Sequence, residues 1–464
     1  MIVMKFGGTS NEDAAAMRNV TRLVKEHLQE QPVVVISAIA RATNELEQIA
    51  RTAALGDQAQ ASQLIASLFR RHDAIIADFL TSKEGAEQLK AVFTLYQLEL
   101  TQLVRGIAIL KELTPRTMDI ICSYGERLSS HIIACGLEEA GVDAVWVDAK
   151  DFMITDDNYG RAQPLMDKVT ERLASVMGPL LSLGKTPVTQ GFIGVTQSGV
   201  YTTMGRESSD YSASIIGAAM SADRVQIWTD VDGILTADPR VVGATKKVRR
   251  MSFEEAFELS YFGAKVLHPN TMLPLLEKKI PVQILNSKRD DSTGTLVEVD
   301  STTSRFTIKS IAHKKNLSVI AMSPHRRYGQ YLFWEGIFSV LSKYGISSPL
   351  AATSEYSISF LVDDRFLADG LIHDLGEFGM VQVAGGKGSI CVVGKGLRAN
   401  SGVVTTIVDA LGEVNVAMIS FGASDSNITM VLDADQIVGA LKRLHAKFFE
   451  GVKETEIFEP ISAS

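Results

Sequence analysis

Over residues 1–300 the chain alternates short β-branched runs with longer stretches of helical spacing, and few architectures accept that order. Ile2-Val-Met-Lys-Phe6 reads as a strand and Gly7-Gly8 as a turn. Thr9 and Ser10 are expected to cap a helix, with Glu12 and Asp13 in its first turn. Met17, Val20, Leu23, Val24 and Leu28 recur at helical spacing and would lie on a sheet. Val33-Val-Val-Ile36 is apolar on both faces, as a buried parallel strand requires. Ile120-Ile121, Ala144-Val-Trp-Val147, Pro187-Val-Thr189, Val225-Gln-Ile-Trp228 and Pro281-Val-Gln-Ile-Leu285 repeat the strand pattern. Helical stretches are expected around 45–80, 86–111, 125–140, 165–183, 209–221, 253–260 and 264–278. The order implies an α/β fold: an open, mostly parallel sheet sandwiched by helices, with ligands beyond the carboxyl ends of its strands.

The texture changes after a polar stretch from Asn286 to Arg305. Leu317–Ser323, helix Trp334–Tyr344, Leu350–Ser354, Ser357–Val362, helix Phe366–Phe378 and Val381–Ala384 give a β-α-β-β-α-β order. Ser389–Val393, helix Gly402–Leu411, Val416–Phe421, Ile428–Leu432 and helix Ala434–Phe449 give the same order one strand short. A spare strand, Phe306–Ala312, precedes the first copy and would complete the second. The first unit is then inserted into the second, and both have a ferredoxin-like plan. The expected division is one domain over 1–300, a second over 317–386, and a third from 306–316 joined to 387–452.

Composition excludes several classes of function. A net charge of -8 gives no general attraction to nucleic acid or to an anionic membrane. The longest apolar run, Val33 to Ala40, is too short to span a bilayer, and the first residues carry no secretion pattern. Three scattered cysteines suggest neither a disulfide framework nor a zinc site, so a reducing cytoplasm is expected.

Chemistry concentrates at strand ends. Lys5-Phe-Gly-Gly-Thr-Ser10 sets a lysine and two glycines before a helix start; it is either a phosphate cradle or a tight structural turn. Gly205-Arg-Glu-Ser-Ser-Asp210 opens a helix, with Arg206 suited to a carboxylate and helix-start N–H groups to an anion, or serves as a charged cap. Trp228-Thr-Asp-Val-Asp-Gly-Ile-Leu-Thr-Ala-Asp-Pro-Arg240 is a carboxylate-rich loop that either binds a nucleotide or holds an Asx turn. Lys265, in Phe262–Pro269, stands at a helix end where cations are disfavoured, which a bound phosphate would explain. Glu126, after the Gly125 of an expected strand end, suits a substrate ammonium.

Together these segments, with Thr189–Gly194, Thr353-Ser-Glu355 and Phe421–Ser424, resemble the aspartokinases of the amino-acid kinase superfamily, in their monofunctional, lysine-sensitive form with two ACT domains. The resemblance implies transfer of the ATP γ-phosphoryl group to the side-chain carboxylate of L-aspartate, under ACT-mediated allosteric control. It implies catalytic roles for Lys5, Asp210 and Lys265, and a nucleotide site at Lys5, Gly7, Gly8, Thr229, Asp230, Leu235, Arg240 and Lys265. It places the substrate against Thr43, Glu126, Arg206, Glu207, Ser208 and Ser209. Mg²⁺ would travel on the ATP with no protein metal site, an amino-acid effector would bind at an ACT interface, and the chain would form a homodimer or tetramer. The chain departs from the family at Arg41, usually glycine, at Glu207-Ser208, usually Gly-Gly, and at Leu235, usually aromatic. Arg41 and Glu207 are expected to approach each other. Ser348-Pro349 stands where the lysine-sensitive form carries an aspartate, so weak lysine inhibition or another effector is expected.

Overall fold

The structure, a computed structural model, describes the whole chain except residues 206–207, 263–266, 268, 290–292, 300–306, 326–328, 347–349, 453–456 and 461–464. It divides into two compact units, one of residues 1–233 and 270–299, the other of 234–269 and 300–464.

In the first unit, the sheet runs in the order Thr295–Glu298, Val282–Asn286, Arg224–Thr229, Ile2–Phe6, Pro32–Ile36, Thr186–Gln190 and Ala144–Trp146. All neighbours are parallel except Thr295–Glu298, which runs antiparallel to Val282–Asn286. Alternate residues serve opposite faces. Met4, Phe6, Val34 and Ile36 share a core with Met17, Val20 and Val24 of helix Ala14–Glu26. On the other face Gly217 of helix Ser209–Ala219 lies so close to the sheet that an added Cβ would stand 2.6 Å from Val225 and 3.8 Å from Val3. The sheet is thus covered on both sides, as the sequence order implies.

Three local expectations fail. Thr9 and Ser10 do not cap the first helix: Gly8–Asn11 forms a short 3₁₀ turn, and Asp13 is the cap, accepting from the Ala16 N–H at 2.8 Å. Ile120-Ile121 is not a strand but part of helix Pro115–Glu139, which is buried around most of its circumference. Burial on all sides erases the amphipathic period and leaves an apolar run that reads as β. The stretch 45–80 splits into Ala42–Ala54 and Gln58–Phe79 at Gly56, whose φ of +88° a side chain would resist.

The second unit holds a six-stranded antiparallel sheet in the order Ala351–Thr353, Ile358–Asp363, Thr307–Pro324, Gly379–Lys395, Asn427–Asp433 and Met418–Ser420. The spare strand and the strand after it are one 18-residue strand, with register shifts around Lys314–Leu317 and Asn316 at φ +59°. Its first half pairs with Ser389–Lys395, and its second half with Gly379–Lys387 and Ile358–Asp363. Ile337 and Leu341 of helix Gln330–Lys343 pack in this unit's core beside Trp334, whereas Phe338 is exposed.

Segment 234–269, expected in the first domain, folds in the second unit. Ile311 N–H donates to the Thr236 carbonyl at 2.9 Å, Ser310 Oγ to the Leu235 carbonyl at 2.7 Å, and Thr236 Oγ1 meets His445 Nε2 at 2.9 Å. Lys309 and Glu255 form a fully buried ion pair at 2.7 Å. The same Glu255 carboxylate accepts from Ser252 N–H at 2.7 Å and completes the capping box of helix Phe253–Tyr261. Removing one member of such a pair strands the other charge in an apolar medium, at a cost of about 3–5 kcal/mol. Lys309→Met should therefore lower the melting temperature markedly, and adding Glu255→Gln should recover part of the loss; thermal denaturation of both variants checks this.

Candidate active site

Lys5 sits next to last on the central strand, in register with Val35 on one side and Ile227 on the other. The turn after it is pressed against the loop that follows Pro32–Ile36. A Cβ on Gly8 would stand 2.9 Å from the Ala38 carbonyl oxygen, so only glycine fits there. Asp210 lies in the first turn of helix Ser209–Ala219, and its Oδ1 is 2.6 Å from Lys5 Nζ, both side chains being largely buried. Ser208 and Ser209 are buried at the entry of that helix. Ser208 Oγ donates to the Gly205 carbonyl at 2.6 Å, and a Cβ on Gly191 would stand 2.6 Å from the Ser209 Cβ.

Glu126 is buried in the middle of helix Pro115–Glu139. Burial pushes its carboxyl up to about 8, against smaller opposing effects of a hydrogen bond from the Ala38 N–H and of the Lys5 charge. Its Oε2 is buried and accepts no hydrogen bond. Half-buried Thr43 comes close by: a Cβ on Gly125 would stand 3.8 Å from Thr43 Oγ1 and 3.0 Å from the Ala38 Cβ. Lys5, Asp210 and Glu126 are therefore associated through one loop and one strand end. Arg41, also on that loop, is exposed and left-handed at φ +73°. That backbone costs a side-chain-bearing residue about 1–2 kcal/mol, which accounts for the family's glycine.

Thr229 ends strand Arg224–Thr229; its carbonyl accepts from Ser287 N–H at 2.7 Å, and its Oγ1 donates to Asp230 at 3.3 Å. Asp230 is exposed. Leu235 and Arg240 belong to the second unit. Arg240 is exposed and grips Asp238 through Nη2 at 2.8 Å and Nε at 3.0 Å, holding that carboxyl below its ordinary range. Arg206, Glu207, Lys265, Ser348 and Pro349 lie outside the described residues, and with them the expected approach of Arg41 and Glu207.

Residues 1–286 match the model of the amino acid kinase family, and 390–448 that of the ACT domain. Aspartokinase 1, chloroplastic, from Arabidopsis thaliana is 34% identical over 98% of this chain and 81% of its own length. The lysine-sensitive aspartokinase 3 of Escherichia coli K12 is 32% identical over 97% of this chain and 99% of its own. The crystal structure of E. coli aspartokinase III in complex with aspartate and ADP superposes with a TM-score of 0.84 at 32% identity, covering 97% of this chain and all of that one. The chain belongs to the aspartokinase family.

Two residues that support this aspartokinase site carry no sequence pattern of their own. Fully buried Asn11 donates from Nδ2 to the Gly7 carbonyl at 3.1 Å and to those of Phe6 and Ser37 at 3.5 Å, tying the glycine turn to the neighbouring strand end. Ser129, three residues after Glu126, donates to the same Ser37 carbonyl at 2.8 Å. Amide and hydroxyl groups become legible as clasps only once distant carbonyls are brought to them.

A carboxyl pushed up to about 8 by burial changes stability with pH. Between its ordinary value of 4.5 and the folded value, the unfolded chain ionises while the folded one keeps the proton. Stability is therefore full below that window and lost as pH rises through it. Without substrate, the melting temperature should fall more between about pH 5 and about pH 9 for wild type than for Glu126→Gln. If Glu126 receives the ammonium of bound aspartate, saturating aspartate should flatten the wild-type slope.

Proposed function

We propose that this chain transfers the γ-phosphoryl group of ATP to the side-chain carboxylate of L-aspartate, giving 4-phospho-L-aspartate for the amino acids built from it. The observation that carries this reading is Glu126, a buried carboxylate with an unpartnered oxygen near the buried Lys5–Asp210 pair. Such a group suits an incoming ammonium, and Lys5 suits an incoming phosphate. The acceptor carboxylate has an ordinary pKa of about 4, so it is ionised and needs no general base. The protein's task is to align two anions and cancel their repulsion. Lys5 stabilises the transferring phosphoryl group, and Asp210 fixes the Lys5 ammonium. Lys265 supplies the second cation, Arg206 holds the α-carboxylate, and Thr43, Glu207, Ser208 and Ser209 line the substrate pocket. Gly7, Gly8, Thr229, Asp230, Leu235 and Arg240 are the residues we assign to the nucleotide, which would carry Mg²⁺.

The family pattern divides the chain into a catalytic domain over 1–300, a first ACT domain over 317–386, and a second from 306–316 and 387–452. Pairing of Thr307–Lys314 with Ser389–Lys395 supports the inserted arrangement. The protein works as an ACT-mediated homodimer or tetramer. None of the helices among the described residues is long and apolar enough to cross a membrane. We place it in the cytoplasm, a reading its three free cysteines fit.

The test is purified protein with MgATP, hydroxylamine and either aspartate or glutamate. Aspartyl hydroxamate supports the proposal; glutamyl hydroxamate would assign another acidic substrate, and neither product would leave an amino-acid sensor. Lys5→Ala and Asp210→Ala should stay folded and lower turnover by on the order of a hundredfold or more, since each places charge used in the transition state. Near-normal turnover in either variant would remove its assigned role.

For regulation, the proline at 349 brings neither charge nor a backbone N–H to the position where the lysine-sensitive form has a carboxylate. Lysine inhibition should be weak, or another amino acid should replace it. Titrating activity with lysine, threonine and methionine, singly and in pairs, decides this, and strong inhibition by lysine alone would overturn it.

A further inference from the structure

Loop 37–43 forms a wall common to both halves of the site. Its Ser37 carbonyl accepts from Ser129 Oγ of the Glu126 helix at 2.8 Å, its Ala38 side chain would stand 3.0 Å from a Cβ on Gly125, and its Ala38 carbonyl closes on Gly8. Its Ala40 N–H donates to the Gly8 carbonyl at 3.2 Å, and it ends on Thr43 at the start of helix Ala42–Ala54. In the middle of this wall stands Arg41, in a left-handed conformation that L-residues seldom adopt. Besides the Ala42 N–H, which donates to the Ile39 carbonyl at 2.8 Å and closes this turn, a side chain can brace it against relaxing toward ordinary backbone.

Arg71 is placed to do so. It projects from helix Gln58–Phe79, and its Nη1 donates to the Ala40 carbonyl, the peptide oxygen immediately before Arg41, at 3.2 Å. The same nitrogen lies 3.1 Å from Glu45 Oε1, and the Glu45 N–H donates to the Arg41 carbonyl at 3.0 Å. One guanidinium thus grips the chain on both sides of the left-handed residue. Its Nε and Nη2 are buried without a partner, so the side chain accepts an unfavourable environment to make this contact. As a plain ion pair, with both side chains about one third exposed, Arg71–Glu45 would contribute little.

We propose that Arg71 is a positioning residue. It holds the left-handed turn at Arg41 and, through it, the loop that sets the Glu126 carboxylate against the Gly7-Gly8 turn. The inference rests on the aspartokinase reading above. With glycine at 41 the turn needs no clamp, so the effect of losing Arg71 should depend on the residue at 41.

The experiment is a double-mutant cycle of Arg71→Ala and Arg41→Gly, assayed with MgATP and aspartate, with melting temperatures recorded. Arg71→Ala should lower kcat/KM for aspartate on the order of tenfold to a hundredfold, the scale of a small misplacement in a site that works by alignment. In the double variant kcat/KM should return to within about threefold of Arg41→Gly alone, because coupled sites are not additive. If Arg71→Ala does not fold, Arg71→Gln keeps one donor for the Ala40 carbonyl and should show a smaller loss, again recovered by Arg41→Gly. Wild-type kcat/KM in Arg71→Ala, or a double variant as impaired as the Arg71 single variant, would overturn the proposal. A wild-type protein that makes no aspartyl phosphate would instead overturn the functional reading.

Discussion

Lys5 and Asp210 hold opposite charges 2.6 Å apart with most of both side chains out of water. Desolvating two charges is expensive, and their attraction offsets the cost only when geometry is tight. The catalytic unit is built to keep that geometry. Lys5 is on the central strand, hydrogen-bonded to parallel neighbours on both sides, so its backbone has almost no freedom. Asp210 is in the first turn of a helix whose close approach to the sheet is set by Gly217. An ammonium placed this way is a fixed positive charge beside the glycine turn, 3.7 Å from where a Gly7 Cβ would stand, as the proposed phosphate role requires.

Glu126 completes the balance from the other side. Its carboxyl is buried in mid-helix with one oxygen unpartnered, and burial pushes it up to about 8 against the smaller opposing effect of the Lys5 charge. Binding a ligand ammonium would restore the charge and its partner together. In the proposed role, a ligand with a carboxylate but no ammonium would leave the buried acid unpaired, and an unpaired buried polar group is costly.

The sheet and its charges were legible in the sequence because parallel strands, apolar on both faces, and glycine turns at their carboxyl ends are local patterns. Lys5, Glu126 and Asp210 stand out by these patterns, and the structure brings Lys5 and Asp210 to 2.6 Å; Glu126, expected after a strand end, projects instead from mid-helix. The helix was hidden because its neighbours bury it all round. Asp13 was passed over as cap because Thr9 and Ser10 stood earlier and fitted the same rule. Asn11, Ser129 and Arg71 could not be read at all, for each is defined by a carbonyl from a distant part of the chain.

The nucleotide loop shows most clearly what spacing omits. Trp228–Arg240 reads as one segment, yet the boundary between units falls inside it, after Gly233 at φ +117°. Thr229 and Asp230 stay with the parallel sheet, while Leu235 and Thr236 hydrogen-bond to the long strand of the second unit. Thr236 further meets His445 of helix Ile437–Phe449, and Lys309 on that long strand grips the helix leading toward Lys265. The chain therefore leaves the unit of the parallel sheet inside this loop, at Ile234, and returns to it only at Asn270, so spacing that reads as one segment spans two packed units.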